Sequence, residues 1–198
     1  MRELSNIVPD PKALKALAHP DRLKMLGILR MEGPQTATTL AARLGLNSGA
    51  TSYHLRQLAH HGFIEADQER GNRRDRWWTS KHDATVFEPA EAEPGEALDA
   101  TMAMLQSVVS HHAAATQRAH DDFPNLPKAW QKAQTFSDYT IAMSPEAALA
   151  LMTDMHTLLA RAKAEAPAPG EQLPEDWRPY TVHLHGFPYS PLGRDDEK

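Results

Sequence analysis

Ser48, Ser52 and Arg56 recur every four residues, with Tyr53 beside them. A helix through this segment therefore carries them along one face. Short hydroxyls admit close approach to base edges, an arginine can grip guanine or phosphate, and a tyrosine can meet a thymine methyl or a phosphate. Just downstream, residues 69–78 read Glu-Arg-Gly-Asn-Arg-Arg-Asp-Arg-Trp-Trp. Arg70, Arg73, Arg74 and Arg76 thus crowd one short stretch, and what they offer is attraction to phosphate. Arg70, Arg73 and Arg74 are the better candidates, since Asp75 can neutralise a neighbouring arginine. The plainer counterparts are a solvated polar face and arginines that keep a turn soluble. His54 lies between the polar and apolar stripes, where a packed, hydrogen-bonded ring and a nucleic-acid contact are both open.

Such groups need elements to hold them. Asp10 before Pro11 predicts a helix start, and His19-Pro20 interrupts that helix before Asp21 opens a second, with Leu23, Leu26 and Leu29 inward. Thr36 is placed to cap a third helix, whose Ala37, Leu40, Ala41 and Leu44 share one face, and Gly45 to terminate it. Asn47 caps the helix of the polar stripe. Its inward residues are Thr51, Leu55 and Leu58, and Gly62 follows its end. Phe63 and Ile64 begin a strand, Gly71-Asn72 supplies a hairpin turn, and Arg76 to Thr79 returns. Adjacent Trp77 and Trp78 then point to opposite faces: one packs beneath the hairpin, and the other is exposed or meets the rest of the chain. Base stacking by either is the lesser reading.

Residues 83–96, acidic and containing Pro89 and Pro94, read as a linker. A long helix is expected from Ala97 to about Asp121, with Leu98, Met102, Leu105, Val108 and Val109 on one side. Tyr139, Ile141 and Met143 alternate like a strand, Ser144-Pro145 opens another helix, and Thr181 to Phe187 resembles a last strand. The expected division is therefore 1–82, a linker at 83–96, and 97–198 with a small α/β module. Met102, Trp130, Met143, Met152 and Met155 are candidates to line an adaptable small-molecule pocket. Core methionines are the plainer reading of the same residues.

The formal charge of −5 conceals two unlike halves. Residues 1–81 hold 13 lysines and arginines against 8 acids, a surplus of five, and residues 82–198 hold 8 against 18, a deficit of ten. The first half can meet a polyanion, and the second should point away from it. The 198 residues are 41% hydrophobic, enough for a real core, and contain no cysteine. Disulfides and thiolate metal sites are thereby excluded, in agreement with a cytoplasmic protein. Met1 to Pro9 lacks a signal-peptide apolar stretch, and no run reaches membrane-spanning length, so no membrane partner is expected.

The segments Leu14–Leu29 (LKALAHPDRLKMLGIL), Thr36–Asn47 (TATTLAARLGLN) and Ser48–Glu65 (SGATSYHLRQLAHHGFIE) resemble, in that order and followed by the basic hairpin, the arsenic-repressor (ArsR) type of winged helix-turn-helix regulators. The likeness spans about residues 10–81. It implies a homodimer on an inverted-repeat operator in double-stranded DNA, usually a repressor relieved by an effector. It also implies an α+β, mostly helical fold, in which a winged helix-turn-helix is joined to a long dimerisation helix. Relatives that sense metals carry cysteines in the helix occupied here by Thr38 to Leu44, or paired ligands on the long helix. That helix here offers Asp99, His111, His112 and His120, but neither pair. Thr39 stands where a capping-box glutamate is common, which predicts a weaker helix start.

Among 11 histidines, His183-x-His185 and Asp154-x-His156 are paired, but no third ligand at a recognised spacing completes either set. Neither a resident metal nor a cofactor is expected. No Gly-x-Ser-x-Gly, phosphate-binding loop, dinucleotide fingerprint or His-Glu-x-x-His is present, so an enzyme is not expected either. The sequence reading is a DNA-binding regulator that contacts DNA through Thr36, Ser48, Ser52, Tyr53, Arg56, Arg70, Arg73 and Arg74. Three alternatives stand beside it: a constitutive architectural DNA-binding protein without effector, a protein–protein adaptor, and a C-terminal enzyme with a DNA address.

Overall fold

The computed structural model describes residues 3–70, 76–87 and 89–189. The chain runs β1 (Asn6–Ile7), α1 (Pro11–Leu17), α2 (Pro20–Glu32), β2 (Gln35–Thr36), α3 (Ala37–Leu44), α4 (Ser48–His60), β3 (Ile64–Ala66), β4 (Trp77–Ser80), β5 (Ala84–Thr85), α5 (Glu96–Asp122), α6 (Lys128–Ala133) and α7 (Pro145–Glu165). Helix starts follow local chemistry. The Asp10 carboxylate accepts from the Ala13 N–H at 2.7 Å, and the Asn47 side chain accepts from the Ala50 N–H at the same distance. The second helix begins at Pro20 rather than Asp21, because His19 is its cap: Nδ1 accepts from the Asp21 N–H at 3.2 Å.

Thr39 corrects the expectation of a weak start for α3. The Thr39 N–H donates to Thr36 Oγ1 at 3.1 Å, while the Thr36 N–H donates to Thr39 Oγ1 at 3.0 Å. A threonine hydroxyl thus closes the reciprocal box that a glutamate closes elsewhere. Gly45 ends the helix in the left-handed region at φ 65°, where a side chain would be strained.

Leu14, Leu17, Met25, Leu26, Leu29, Leu40, Leu55, Leu58, Phe63 and Trp78 converge in one core. Fully burying a side chain of the Leu, Met or Phe kind contributes about 1.5–3 kcal/mol, and this convergence fixes how α4 presents its outer face. The hairpin β3–β4 is antiparallel, with Glu65 opposite Thr79 and Ala66 opposite Trp78. A third strand, β2, joins β4 with Gln35 opposite Trp78. Trp78 is buried and Trp77 half-buried, as alternation requires. A second, parallel ladder pairs Asn6 with Ala84 and Ile7 with Thr85.

Residues 83–96 are partly structured, containing β5 and a 3-10 turn at Pro89–Glu91. Beyond them α5 packs its Met104 into the core, and Ser107 Oγ donates to the Ala18 carbonyl at 2.5 Å. The small α/β module is not what the structure contains. Among the described residues after 96 there is no strand, and the region is largely helical. Tyr139, Ile141, Met143 and Val182 are exposed. Alternation tells which way side chains would face, but a ladder also needs a neighbouring backbone, and neither segment has one. Later parts of the region also return to the N-terminal half. Lys163 Nζ donates to the Asp83 carbonyl at 2.6 Å, and the turn at Gly170 lies against Gly33, where an added Cβ would come within 2.9 Å of Gly170 Cα.

Candidate nucleic-acid interface

The outer face of α4 is set by its inner one. Thr51, Leu55 and Leu58 are at most 1% exposed, and Thr51 Oγ1 donates back to the Asn47 carbonyl at 3.0 Å. The helix is thereby fixed in rotation. Ser48, Tyr53 and Arg56 are exposed and Ser52 is half-buried, so the four predicted residues do share an accessible side. Tyr53 is half exposed, and its ring meets that of His54 edge-on at 5.6 Å.

Thr36 is differently placed. It is 7% exposed, and its hydroxyl is occupied by the cap of α3, so it sets the start of that helix. In the wing, Arg70 is exposed and its Nε lies 3.6 Å from Asp67 Oδ2. Arg73 and Arg74, with the predicted turn at Gly71-Asn72, lie outside the described residues. Arg76 is exposed and sits over the ring of Trp78.

The wing's exit is anchored by Arg30. Its Nε donates to the His82 carbonyl at 3.0 Å and Nη2 to Thr85 Oγ1 at 2.9 Å. Burial pushes its guanidinium down to about 10, partly offset by Asp83, so it stays charged at neutral pH.

His54 resolves as a packed ring. It is 9% exposed, and its Nδ1 is buried without a hydrogen-bond partner. Its ring centroid lies 4.5 Å from that of His19. Burial, with His19 and Arg22 adding, lowers its proton affinity below the ordinary imidazole value, while Asp21 raises it. His19, Asp21 and His54 each bring a ligand-type atom to within 4.8 Å of the others. Sequence spacing gives no sign of this trio, because two members start α2 and the third sits in the middle of α4.

The five residues proposed for a C-terminal pocket are dispersed. Met102, Met143 and Met155 are exposed, Met152 and Trp130 half-buried, and Trp130 stacks on Tyr180 at 6.3 Å. A cleft of about 700 Å3 lies elsewhere, lined by Val109, Phe136 and Phe187 together with His112, His183 and His185, and by none of those five. His112 Nδ1 is 2.8 Å from His185 Nε2, and its ring stacks on His183 at 3.8 Å. His112 of α5 therefore packs against the pair at 183 and 185. Among the described residues, no helix is long and apolar enough to cross a membrane.

Residues 17–66 match the family described as "Helix-turn-helix domain". A search of curated proteins finds no match. Among solved structures, the chain is similar to a mutant of Lactococcus lactis ZitR in apo form. The identity is 12% and the TM-score 0.33, over 74% of this chain and 83% of that one. A helix-turn-helix is a DNA-binding module rather than a catalytic one. Residues 17–66 are thus similar to a helix-turn-helix domain, and the antiparallel β3–β4 hairpin stands after it in the position of a wing.

Proposed function

We propose that the chain is a sequence-specific transcriptional regulator of the ArsR type, a homodimer acting on an inverted-repeat operator, and in most settings a repressor. The observation that carries this reading is the division of α4: a fully buried stripe opposite an accessible one bearing Ser48, Ser52, Tyr53 and Arg56. In this reading the helix enters a major groove and its accessible side reads base edges. Arg70, Arg73 and Arg74 hold phosphates, while Thr36 sets the start of α3 and so the angle of approach.

A two-fold operator needs two recognition helices roughly one helical turn (~34 Å) apart. Leu98, Met102 and Val109 on α5, and Leu149 and Leu158 on α7, are large apolar side chains left open. They support a second copy as the partner of residues 97–198. The division at 82 and 96 belongs to the same proposal, with the first half of α5 serving as the strut between DNA-binding and dimerisation parts. A small-molecule effector, if the regulator takes one, is accommodated by the cleft between Val109, Phe136 and Phe187, whose volume is about 700 Å3. The constitutive architectural alternative differs in having no such ligand. A cytoplasmic location accords with the absence of cysteine.

Fluorescence anisotropy with duplexes from the region upstream of the chain's own gene tests the proposal. Selective binding to one segment, with affinity falling as salt rises, is the expected result. Equal binding to all duplexes would favour the architectural alternative. No binding would leave the adaptor.

A further inference from the structure

Two imidazoles and one carboxylate meet where α2 begins against the middle of α4. His19 caps α2, Asp21 lies in its first turn, and His54 is enclosed in α4. One ligand-type atom from each falls within 4.8 Å of the other two. Two further facts point to a ligand. His54 is 9% exposed, and its Nδ1 is buried with no partner in the protein, which is costly unless something fills the gap. Asp21 is only loosely engaged, its carboxylate 3.9 Å from Lys24 Nζ. We propose that His19, Asp21 and His54 bind one divalent transition-metal ion of the zinc type, joining the start of α2 to the recognition helix.

The donor set fits. Two neutral nitrogens and one carboxylate oxygen suit zinc, cobalt or nickel, and leave a position for water. His19 and Asp21 are only half-buried, so an ion has a way in. Arg22 is the opposing charge, and the Asp21 carboxylate offsets it. The ion has a structural consequence. His19 Nδ1 accepts from the Asp21 N–H at 3.2 Å, and metal on either ring nitrogen gives up that bond, since Nδ1 becomes either a ligand or an N–H. Loading therefore alters the cap of α2 beside the helix proposed to read DNA. The binding itself does not rest on the DNA-binding reading, and it is tested without DNA.

The test is a cobalt(II) titration of the full chain after chelation, followed in the visible region, with zinc as competitor. The expected result is one equivalent bound and displaced by zinc. His54→Gln and Asp21→Asn should each weaken it at least tenfold, and His183→Gln with His185→Gln should leave it unchanged. Binding at full strength in His54→Gln, or its loss in the His183/His185 variant, would overturn the site. Should His54→Gln fail to fold, ring-nitrogen NMR of the unaltered chain decides. Zinc must shift the resonances of His19 and His54, and unmoved resonances would equally overturn it.

Discussion

The guanidinium of Arg76 lies 4.3 Å above the ring of Trp78, the tryptophan that β4 buries beneath the wing. A cation in this position adds about 0.5–1 kcal/mol at an exposed site. Its side chain also covers apolar surface that would otherwise meet water. Arg76→Ala should therefore lower stability to urea by about that amount, whereas Arg56→Ala, which touches no such ring, should leave stability within about 0.5 kcal/mol of the parent. Equal losses in the two would show that Arg76 is not committed to packing.

Thr36 and Thr39 satisfy each other's backbone at the start of α3. Thr36→Ala should cost about 1 kcal/mol in chemical denaturation, in the usual range for removing a cap. Because the two hydroxyls act as a unit, Thr39→Ala in the Thr36→Ala background should cost less than it does alone. Strict additivity would mean that the box contributes nothing as a pair.

His112 is held down at about 4, first by burial and then by His183, His185 and His111. A free histidine titrates at 6.5, so between these values the undocked or unfolded segment takes up more protons than the docked one. The contribution of His112 to the docking of residues 181–187 on α5 is therefore fully present above about pH 6.5 and is lost as pH falls towards 4. An NMR titration should place the His112 midpoint well below the ordinary value, and His183→Ala should raise it. A midpoint near 6.5 in the parent would contradict the packed triad.

The sequence makes some of this architecture plain and hides the rest, for physical reasons. Caps at Asp10, Asn47 and Ser144, and the inward stripe of Thr51, Leu55 and Leu58, are local or periodic, and each is found where the pattern puts it. The opposite facing of Trp77 and Trp78 follows from the strand itself. In contrast, the pairing of Ile7 with Thr85 joins two-residue strands far apart in the chain, with no periodicity to reveal them. Tyr139, Ile141 and Met143 mislead because alternation describes faces, not neighbours. His19, Asp21 and His54 are brought together only when α2 crosses α4, and His112 joins His183 and His185 only by tertiary packing. Composition already separates the basic first half from the acidic second, whereas the C-terminal cleft becomes visible only in three dimensions.

The accessible side of α4 as the DNA-reading surface is the central claim, and paired anisotropy titrations test it most directly. Arg56→Ala and Arg70→Ala are each titrated against the selected duplex and a scrambled one at several salt concentrations. Arg56→Ala should lose about 1–3 kcal/mol on the selected duplex and little on the scrambled one, with reduced discrimination between them. Arg70→Ala should weaken both alike and reduce the salt slope by about 1. Identical behaviour of the two variants, or undiminished selectivity in Arg56→Ala, would contradict the account.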